Sequence, residues 1–331
     1  MTDSADARPS VLITEPIGAS GLHILERACD CIVPWRDGPP GATDPERLRA
    51  RLAAVDAVVV RLFPVGAPEL AAAPRLRLVA KHGAGLDNID CAAAARRGVP
   101  VIYTPGANSN AVAEHALGLL LALARNTSRA DATLRSARPY QKEQFVGLEV
   151  SGKTLGIIGL GRIGTRVARK AHGLEMRALA YDPYVDHAAY PGPATFVDTL
   201  DELLTEADFV TLHVPLTAET RHMIDARALA RLRPGCRVVN TCRGGVIDET
   251  ALSSALQGGT LAGAALDVFE EEPLAVDHPL TRTPNTLITP HVSGLTREAM
   301  AAVSEQVAHG VIDVLEGRMP RDLLAPPPDS A

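Results

Sequence analysis

The sequence predicts an α/β protein built from parallel, doubly wound sheets, and three observations carry that prediction. Short apolar runs alternate with helical stretches along most of the chain, the pattern of parallel strands joined by helical crossovers. One of these runs, 155–158, leads into Gly159, Gly161 and Gly164 and then into a helical stretch, 165–171. The chain has 331 residues, a length that suggests about two domains.

Taken in order, 11–14 reads as a first strand and 20–28 as the helix after it. The stretch 36–45 is rich in Gly and Pro and reads as a loop, and 46–54 as a helix. Residues 57–60 are β-branched and apolar, a buried parallel strand ending at Arg61. Another strand spans 76–80 and runs into the turn 81–85; a helix follows at 91–97, and 98–102 leads into a further strand. Asn108, Ser109 and Asn110 supply capping residues before a long Ala- and Leu-rich helix at 111–124. That helix is apolar around much of its circumference, as suits an interdomain connector or a subunit interface. The segment 128–149 is more polar and irregular. Beyond the glycine turn, strands are expected at 177–181, 209–213, 237–240, 263–267 and 286–289, with helices at 200–206, 226–232, 249–257 and 297–316. Pro326, Pro327 and Pro328 open a tail expected to be disordered.

Composition excludes several classes. Hydrophobic residues make up 46% of the chain but aromatics only 3%, so the cores must rest on Ala, Val, Leu and Ile. The net charge is −6, with no long basic run, and no nucleic acid or anionic membrane is expected as a partner. Five cysteines, without C-x-x-C or zinc spacing, read as reduced thiols in a cytoplasmic protein. No metal is expected. The N-terminus has no apolar signal core, and no apolar run reaches membrane-spanning length.

The glycine turn has a mechanism. In a strand–turn–helix context, Gly159 permits the tight turn, Gly161 lets the backbone approach a pyrophosphate, and Gly164 lets helix and strand pack closely. The helix start then favours the anion. The spacing alone is weak, but a second half of the fingerprint is present. Asp182 ends the next strand, 21 positions after Gly161, close to the roughly 20 expected of an acid that binds ribose hydroxyls. Asp182 also reads as a turn residue before Pro183. As a ribose ligand it would repel a 2′-phosphate, which points to NAD over NADP.

Asp182, Pro215, Arg243, Asp267 and His291 all fall at carboxyl ends of expected strands, where parallel sheets collect ligands. His291 is a natural acid–base group, since an unperturbed imidazole titrates near neutrality. Glu270, Glu271 and Glu272 offer carboxylates to orient it. Arg243 has the planar fork suited to a substrate carboxylate. Singly, each reads as well as a buried histidine, a solvated loop or an ion pair. Beside a dinucleotide fingerprint they read as one site.

The motifs K-H-G-A-G-L-D-N-I-D (81–90), N-S-N-A-V-A-E-H (108–115), G-L-G-R-I-G (159–164), H-V-P-L-T-A-E-T (213–220), N-T-C-R-G-G-V-I-D (240–248), L-D-V-F-E-E-E-P (266–273) and T-P-H-V-S-G-L-T (289–296) extend the pattern. In them the chain resembles the D-isomer-specific 2-hydroxyacid dehydrogenases, most of all the phosphoglycerate-dehydrogenase-like branch, from about residue 55 to 320. The resemblance implies two Rossmann-like domains, a cofactor domain at 107–290 inserted into a substrate domain formed by 1–106 and 291–331. It implies a catalytic set of Arg243, Glu272 and His291. Arg243 would bind the substrate's carboxylate and carbonyl, and Glu272, standing before Pro273, would pair with His291, which exchanges the proton. It implies NAD contacts from Gly159, Gly161, Arg162, Ile163, Gly164, Asp182, Pro215, Thr241, Cys242 and Asp267, with Ser293 and Gly294 at the nicotinamide end. The backbone of Gly83, Ala84 and Gly85 would receive the substrate carboxylate. The helix at 111–124 and the segment after it would build a homodimer.

The implied reaction interconverts a small 2-hydroxy acid and its 2-keto acid by hydride transfer. Arg61, Lys81 and His82 would favour a second anionic group on the substrate, or else are surface charges. Leu62-Phe63-Pro64 stands where the phosphoglycerate enzymes carry a polar stretch, which argues against phosphoglycerate itself. No C-terminal regulatory domain is evident, so feedback by serine is not expected. Two alternatives stand beside this one: a hydroxypyruvate or glyoxylate reductase, and a non-enzymatic NAD sensor resembling the C-terminal-binding corepressors.

Overall fold

A computed structural model describes residues 8–283, 285–320 and 324. The expected tail at 326–328 lies outside them. The chain divides into two compact units, one formed by Met1–Asn108 with Leu295–Ala331 and the other by Ser109–Gly294.

The first unit holds five parallel strands, β1 (Ser10–Ile13), β2 (Asp30–Ile32), β3 (Ala57–Val60), β4 (Leu78–Lys81) and β5 (Val101–Ile102), in the order β2-β1-β3-β4-β5. β3 and β4 are buried along their whole length, as their apolar composition requires in the middle of a sheet covered on both faces. One face packs Val11, Ile13, Leu25 and Leu78 against Val307, Val311 and Val314 of the final helix, Arg297–Leu315. The opposite face packs Leu12, Val58, Val60 and Val79 against Leu48, Leu52 and Leu70.

The second unit holds seven parallel strands, β6 (Thr154–Ile158), β7 (Arg177–Tyr181), β8 (Ala194–Phe196), β9 (Phe209–Leu212), β10 (Arg237–Asn240), β11 (Gly263–Leu266) and β12 (Thr286–Ile288). Their order, β12-β11-β10-β9-β6-β7-β8, reverses direction at β6, beside β9. That reversal is the switch point at which doubly wound sheets open a ligand crevice. The helix Ser109–Ala124 buries ten of its residues, and Ala113, Leu120 and Ala124 share a core with Leu155, Val167 and Val239. Its apolar circumference therefore packs against the sheet and the helix Arg162–Gly173 of its own unit.

Three expectations need correction. The loop at 36–45 gives way to helical turns at both ends, Pro34–Asp37 and Pro45–Leu52, each with Pro at the start, where its missing N–H is harmless. The irregular stretch contains a helix, Thr127–Arg135, none of whose residues is buried. The helix after the glycine turn begins at Arg162, not at 165, and runs to Gly173. Gly164 falls in its first turn, where the approach of strand to helix leaves no room for a Cβ.

Candidate active site

The glycine turn joins a fully buried strand to a helix start. Gly159 sits at φ +88°, and a Cβ there would meet the His213 carbonyl oxygen at 2.6 Å. A Cβ on Gly164 would lie 2.0 Å from the Gly159 carbonyl oxygen, so strand and helix touch backbone to backbone. Around Gly161, by contrast, a Cβ would meet nothing within 4 Å. Because the helix begins at Arg162, the N–H groups of Arg162, Ile163 and Gly164 fall in its first turn and have no intrahelical acceptor. Such a helix start favours an anion.

Asp182 follows β7 and does two things. Its Oδ2 accepts the Leu160 N–H at 2.8 Å, inside the glycine turn, while Oδ1 accepts from Tyr184 at 2.9 Å and Val185 at 3.2 Å. The turn role and a position beside the glycine loop thus coexist in one residue. At the end of β10, the Thr241 hydroxyl is buried without a protein partner, as is Nδ1 of His213 after β9. Burial pushes His213 down to about 3, so its ring is neutral. An unsatisfied buried hydroxyl, an open face at Gly161 and free helix-start donors are what a bound dinucleotide would complete. Pro215 is exposed after His213, its carbonyl accepting the Thr220 hydroxyl at 2.6 Å. Burial raises the Cys242 thiol, whose Sγ lies 3.0 Å from Asn240 Oδ1; it is packed and protonated.

The polar constellation sits on three loops. Arg243 is in extended conformation just after β10, with Nη1 donating to the Cys242 carbonyl at 2.6 Å. Asn240 fixes this loop by accepting the Cys242 N–H at 3.0 Å and donating to the Arg243 carbonyl at 2.8 Å. Glu272 accepts the Phe269 N–H at 3.0 Å on one oxygen and lies 2.7 Å from His291 Nδ1 on the other. A carboxylate only accepts, so Nδ1 carries the proton donated to it, and Nε2 is the nitrogen left for chemistry. His291 takes a left-handed φ of +52°, with its N–H donating to the Asp267 carbonyl at 2.8 Å.

Asp267 is fully buried and braces the histidine loop. Its Oδ1 accepts from the Thr289 hydroxyl at 2.6 Å and the Val292 N–H at 2.9 Å, and its Oδ2 from the Ser293 N–H at 2.8 Å. His115 Nε2 stands 3.6 Å from Oδ1. Burial alone would raise this carboxyl, but the hydrogen bonds from His115, Thr289, Val292 and Ser293 hold it well below the usual carboxylate range. Ser293 is itself buried and Gly294 half-buried. The sequence reading assigned no part to Asn240, His115 or Thr289. A polar residue closing the buried strand 237–240 was an available signal for the first, and all three lie inside the motifs 240–248, 108–115 and 289–296.

In the first unit, Arg61 is half-exposed, with Nη1 on the Pro16 carbonyl at 3.1 Å. Lys81 and His82 are neither surface charges nor exposed anion ligands. Lys81 is buried, its Nζ on the Arg61 carbonyl and Asn88 Oδ1. His82 is buried with Nε2 at 2.7 Å from Ser304 Oγ; burial, with the charges of Arg61 and Lys81, pushes it down to about 4. The Gly83 N–H, expected to meet substrate, is engaged by the Lys81 carbonyl at 3.0 Å and Thr104 Oγ1 at 3.2 Å. Ala84 is exposed and Gly85 half-exposed beside it. Among the described residues, no group of three or more His, Cys, Asp or Glu is arranged to hold a metal ion, and no helix is long and apolar enough to cross a membrane.

Residues 117–293 match the family described as D-isomer specific 2-hydroxyacid dehydrogenase, NAD binding domain. A D-3-phosphoglycerate dehydrogenase of Mycobacterium tuberculosis is 42% identical over 315 residues, 95% of this chain and 58% of the relative. The chain thus spans little more than half the length of that relative. A glyoxylate reductase of Thermofilum pendens is 39% identical over 326 residues, 96% of this chain and 95% of the relative. The crystal structure of a D-lactate dehydrogenase from Aquifex aeolicus, complexed with NAD and lactic acid, superposes with a TM-score of 0.78 at 25% identity, covering 97% of this chain and all of that one.

Proposed function

The chain belongs to the D-isomer-specific 2-hydroxyacid dehydrogenase family, and from that premise we propose that it interconverts a small 2-hydroxy acid and its 2-keto acid with NAD. One observation carries the reading: the His291–Glu272 contact of 2.7 Å, which presents Nε2 on a half-exposed ring. In oxidation, Nε2 takes the hydroxyl proton of the substrate; in reduction, it returns a proton to the carbonyl oxygen. Glu272 fixes the tautomer and stabilises the imidazolium that forms. Arg243, its loop tied down by Asn240, grips the carboxylate and the reacting oxygen with its fork. Bound NAD supplies the hydride acceptor at nicotinamide C4. The helix start at Arg162, Ile163 and Gly164 would hold its pyrophosphate, Asp182 its ribose, and Pro215, Thr241 and Cys242 the stretch toward the nicotinamide, which Ser293 and Gly294 would close. Asp267 acts by bracing that last loop.

As the family resemblance implies, the backbone of Ala84 and Gly85 would take the substrate carboxylate. Of the three cations that favoured a second anionic group, Arg61 alone remains. A hydroxypyruvate or glyoxylate reductase is one specific activity within this reading, supported by the likeness to the Thermofilum pendens enzyme over almost its whole length. Exposed Leu134, Tyr140 and Val146 after the helix Ser109–Ala124 support a homodimer, and the reduced cysteines support a cytoplasmic setting.

A screen of 2-keto acids with NADH and NADPH tests the assignment. Turnover of glyoxylate or hydroxypyruvate, with NADH favoured, is the expected result. If NADH quenches protein fluorescence yet no acid on the panel is reduced, the chain is an NAD-binding sensor and the enzymatic reading is lost.

A further inference from the structure

Two glutamates outside the catalytic set are bonded to one another's main chain. Oε1 of Glu249, which opens the helix Glu249–Gln257, accepts the Glu270 N–H at 2.8 Å, and Oε1 of Glu270 accepts the Glu249 N–H at 3.2 Å. The exchange joins the helix after the Arg243 loop to the loop that carries Glu272. Two neighbouring carboxylates would repel, but each is offset here by a charge-assisted bond from the other residue's amide. Glu249 is buried, and its second oxygen lies 3.2 Å from His278 Nε2. His278 Nδ1 accepts the Leu280 N–H at 3.3 Å, so Nε2 carries the proton and donates it to Glu249. His222, left-handed at φ +51°, brings Nε2 within 3.2 Å of Glu270 Oε1. Beside the pair, a Cβ on Gly244 would lie 1.8 Å from the Phe269 carbonyl carbon and 2.3 Å from the Glu270 nitrogen. The backbone at Arg243–Gly244 is therefore pressed against the start of the Glu272 loop.

The clasp bears on Glu272 through two consecutive amides. The Phe269 N–H donates to Glu272 Oε1, and the next N–H, that of Glu270, donates to Glu249. Glu249 thus fixes the peptide that follows Phe269, and the Phe269 amide sets the carboxylate that meets His291 at 2.7 Å. For stability alone a buried carboxylate is a poor choice, since an apolar side chain fills such a space without the desolvation cost. What Glu249 adds is direction, an acceptor aimed at one amide of one loop. We propose that Glu249 is a positioning residue for proton transfer: clasped to Glu270, it holds the 269–272 loop so that Glu272 keeps the His291 ring in register. The inference rests on the dehydrogenase reading and gives Glu249 no contact with substrate or NAD.

The test uses Glu249→Ala and Glu249→Gln. Asp225→Ala is the control for lost helix capping, because Asp225 accepts the Ala228 N–H at 2.8 Å at the start of another helix. Two quantities are read. One is kcat per NADH-binding site for glyoxylate or hydroxypyruvate, beside the NADH dissociation constant. The other is the titration midpoint of the His291 ring by NMR, with Glu272→Gln as the reference for a broken pair. A displacement of about 1 Å can cost about 10²-fold in rate, so Glu249→Ala should lower kcat by about 10- to 100-fold with NADH binding unchanged. It should also move the His291 midpoint down toward that of Glu272→Gln, since a carboxylate held close favours the imidazolium. Glu249→Gln keeps an oxygen for the Glu270 N–H and should recover most of both. Asp225→Ala should lower Tm alone. Should Glu249→Ala fail to fold, Glu249→Asp, which draws the acceptor back from the Glu270 N–H, is read in the same way. A lowered Tm with kcat and midpoint unchanged overturns the proposal and leaves only helix capping. Equal shifts in the Ala and Gln variants also overturn it, because charge and not position is then responsible. If wild type binds NADH but reduces no 2-keto acid, the dehydrogenase reading fails separately, and the His291 midpoint, which needs no turnover, decides the clasp by itself.

Discussion

The two sheets end in similar inventories of polar residues and use them differently. At the carboxyl edge of the second unit, bonding capacity is left over: Nε2 of His291, the N–H groups at Arg162–Gly164 and the buried Thr241 hydroxyl have no hydrogen-bond partner among the described residues. At the edge of the first unit, the corresponding groups are closed on one another. Glu15 takes the 61–63 amides, Lys81 takes a carbonyl and Asn88, and His82 meets Ser304. Charge content alone therefore does not show how much bonding capacity an edge has left; what matters is whether donors and acceptors remain after the fold has satisfied itself.

Perturbing the open edge should produce the largest effect. His291→Ala should lower kcat by about 10²–10⁴-fold while leaving NADH binding measurable by fluorescence titration. Near-normal turnover would remove His291 from the chemistry and with it the contrast between the edges. Next in size is the brace beneath that edge. Asp267→Asn cannot accept equally on both oxygens, so it should cost about 1–3 kcal/mol in urea unfolding. Since the folded carboxyl is held low, its stabilisation is present above the ordinary carboxylate range and is lost as pH falls through the folded value. A variant with unchanged midpoint would show that the loop holds His291 without it.

The smallest effect belongs to the closed edge. His82 is neutral when folded, down to about 4, and protonates near 6.5 when unfolded. Its stability contribution is complete above pH 6.5 and declines as pH falls from there toward 4, by at most about 3 kcal/mol. His82→Gln should flatten this slope in unfolding free energy measured across pH 4–7, without abolishing it, because His213 titrates in the same window. An unaltered slope would mean that His82 is not neutral in the fold.

What was legible in the sequence follows the same physics. Central strands such as Ala57–Val60, Arg177–Tyr181 and Arg237–Asn240 fall at the expected residues, because parallel strands buried on both faces must be apolar throughout. Asp30–Ile32 and Ala194–Phe196 went unread: each is three residues at a sheet edge, with no run to detect. Thr127–Arg135 buries nothing, so it carries no apolar stripe. In the candidate site, residues at strand ends could be singled out by side-chain chemistry. Glu15 could not, because its partners include the backbone amides of 61–63, which every residue has and no letter code distinguishes.

The second unit interrupts the first, and this has a bearing on synthesis. Ser109–Gly294 is one contiguous stretch and can close its core as soon as it leaves the ribosome. Residues 10–102 cannot do the same, since Val307, Val311 and Val314, which cover Val11, Leu25 and Leu78, are translated only after the whole of the second unit. A nascent chain therefore carries one finished body beside a sheet with an uncovered greasy face, and it is during that interval that chaperones have something to hold.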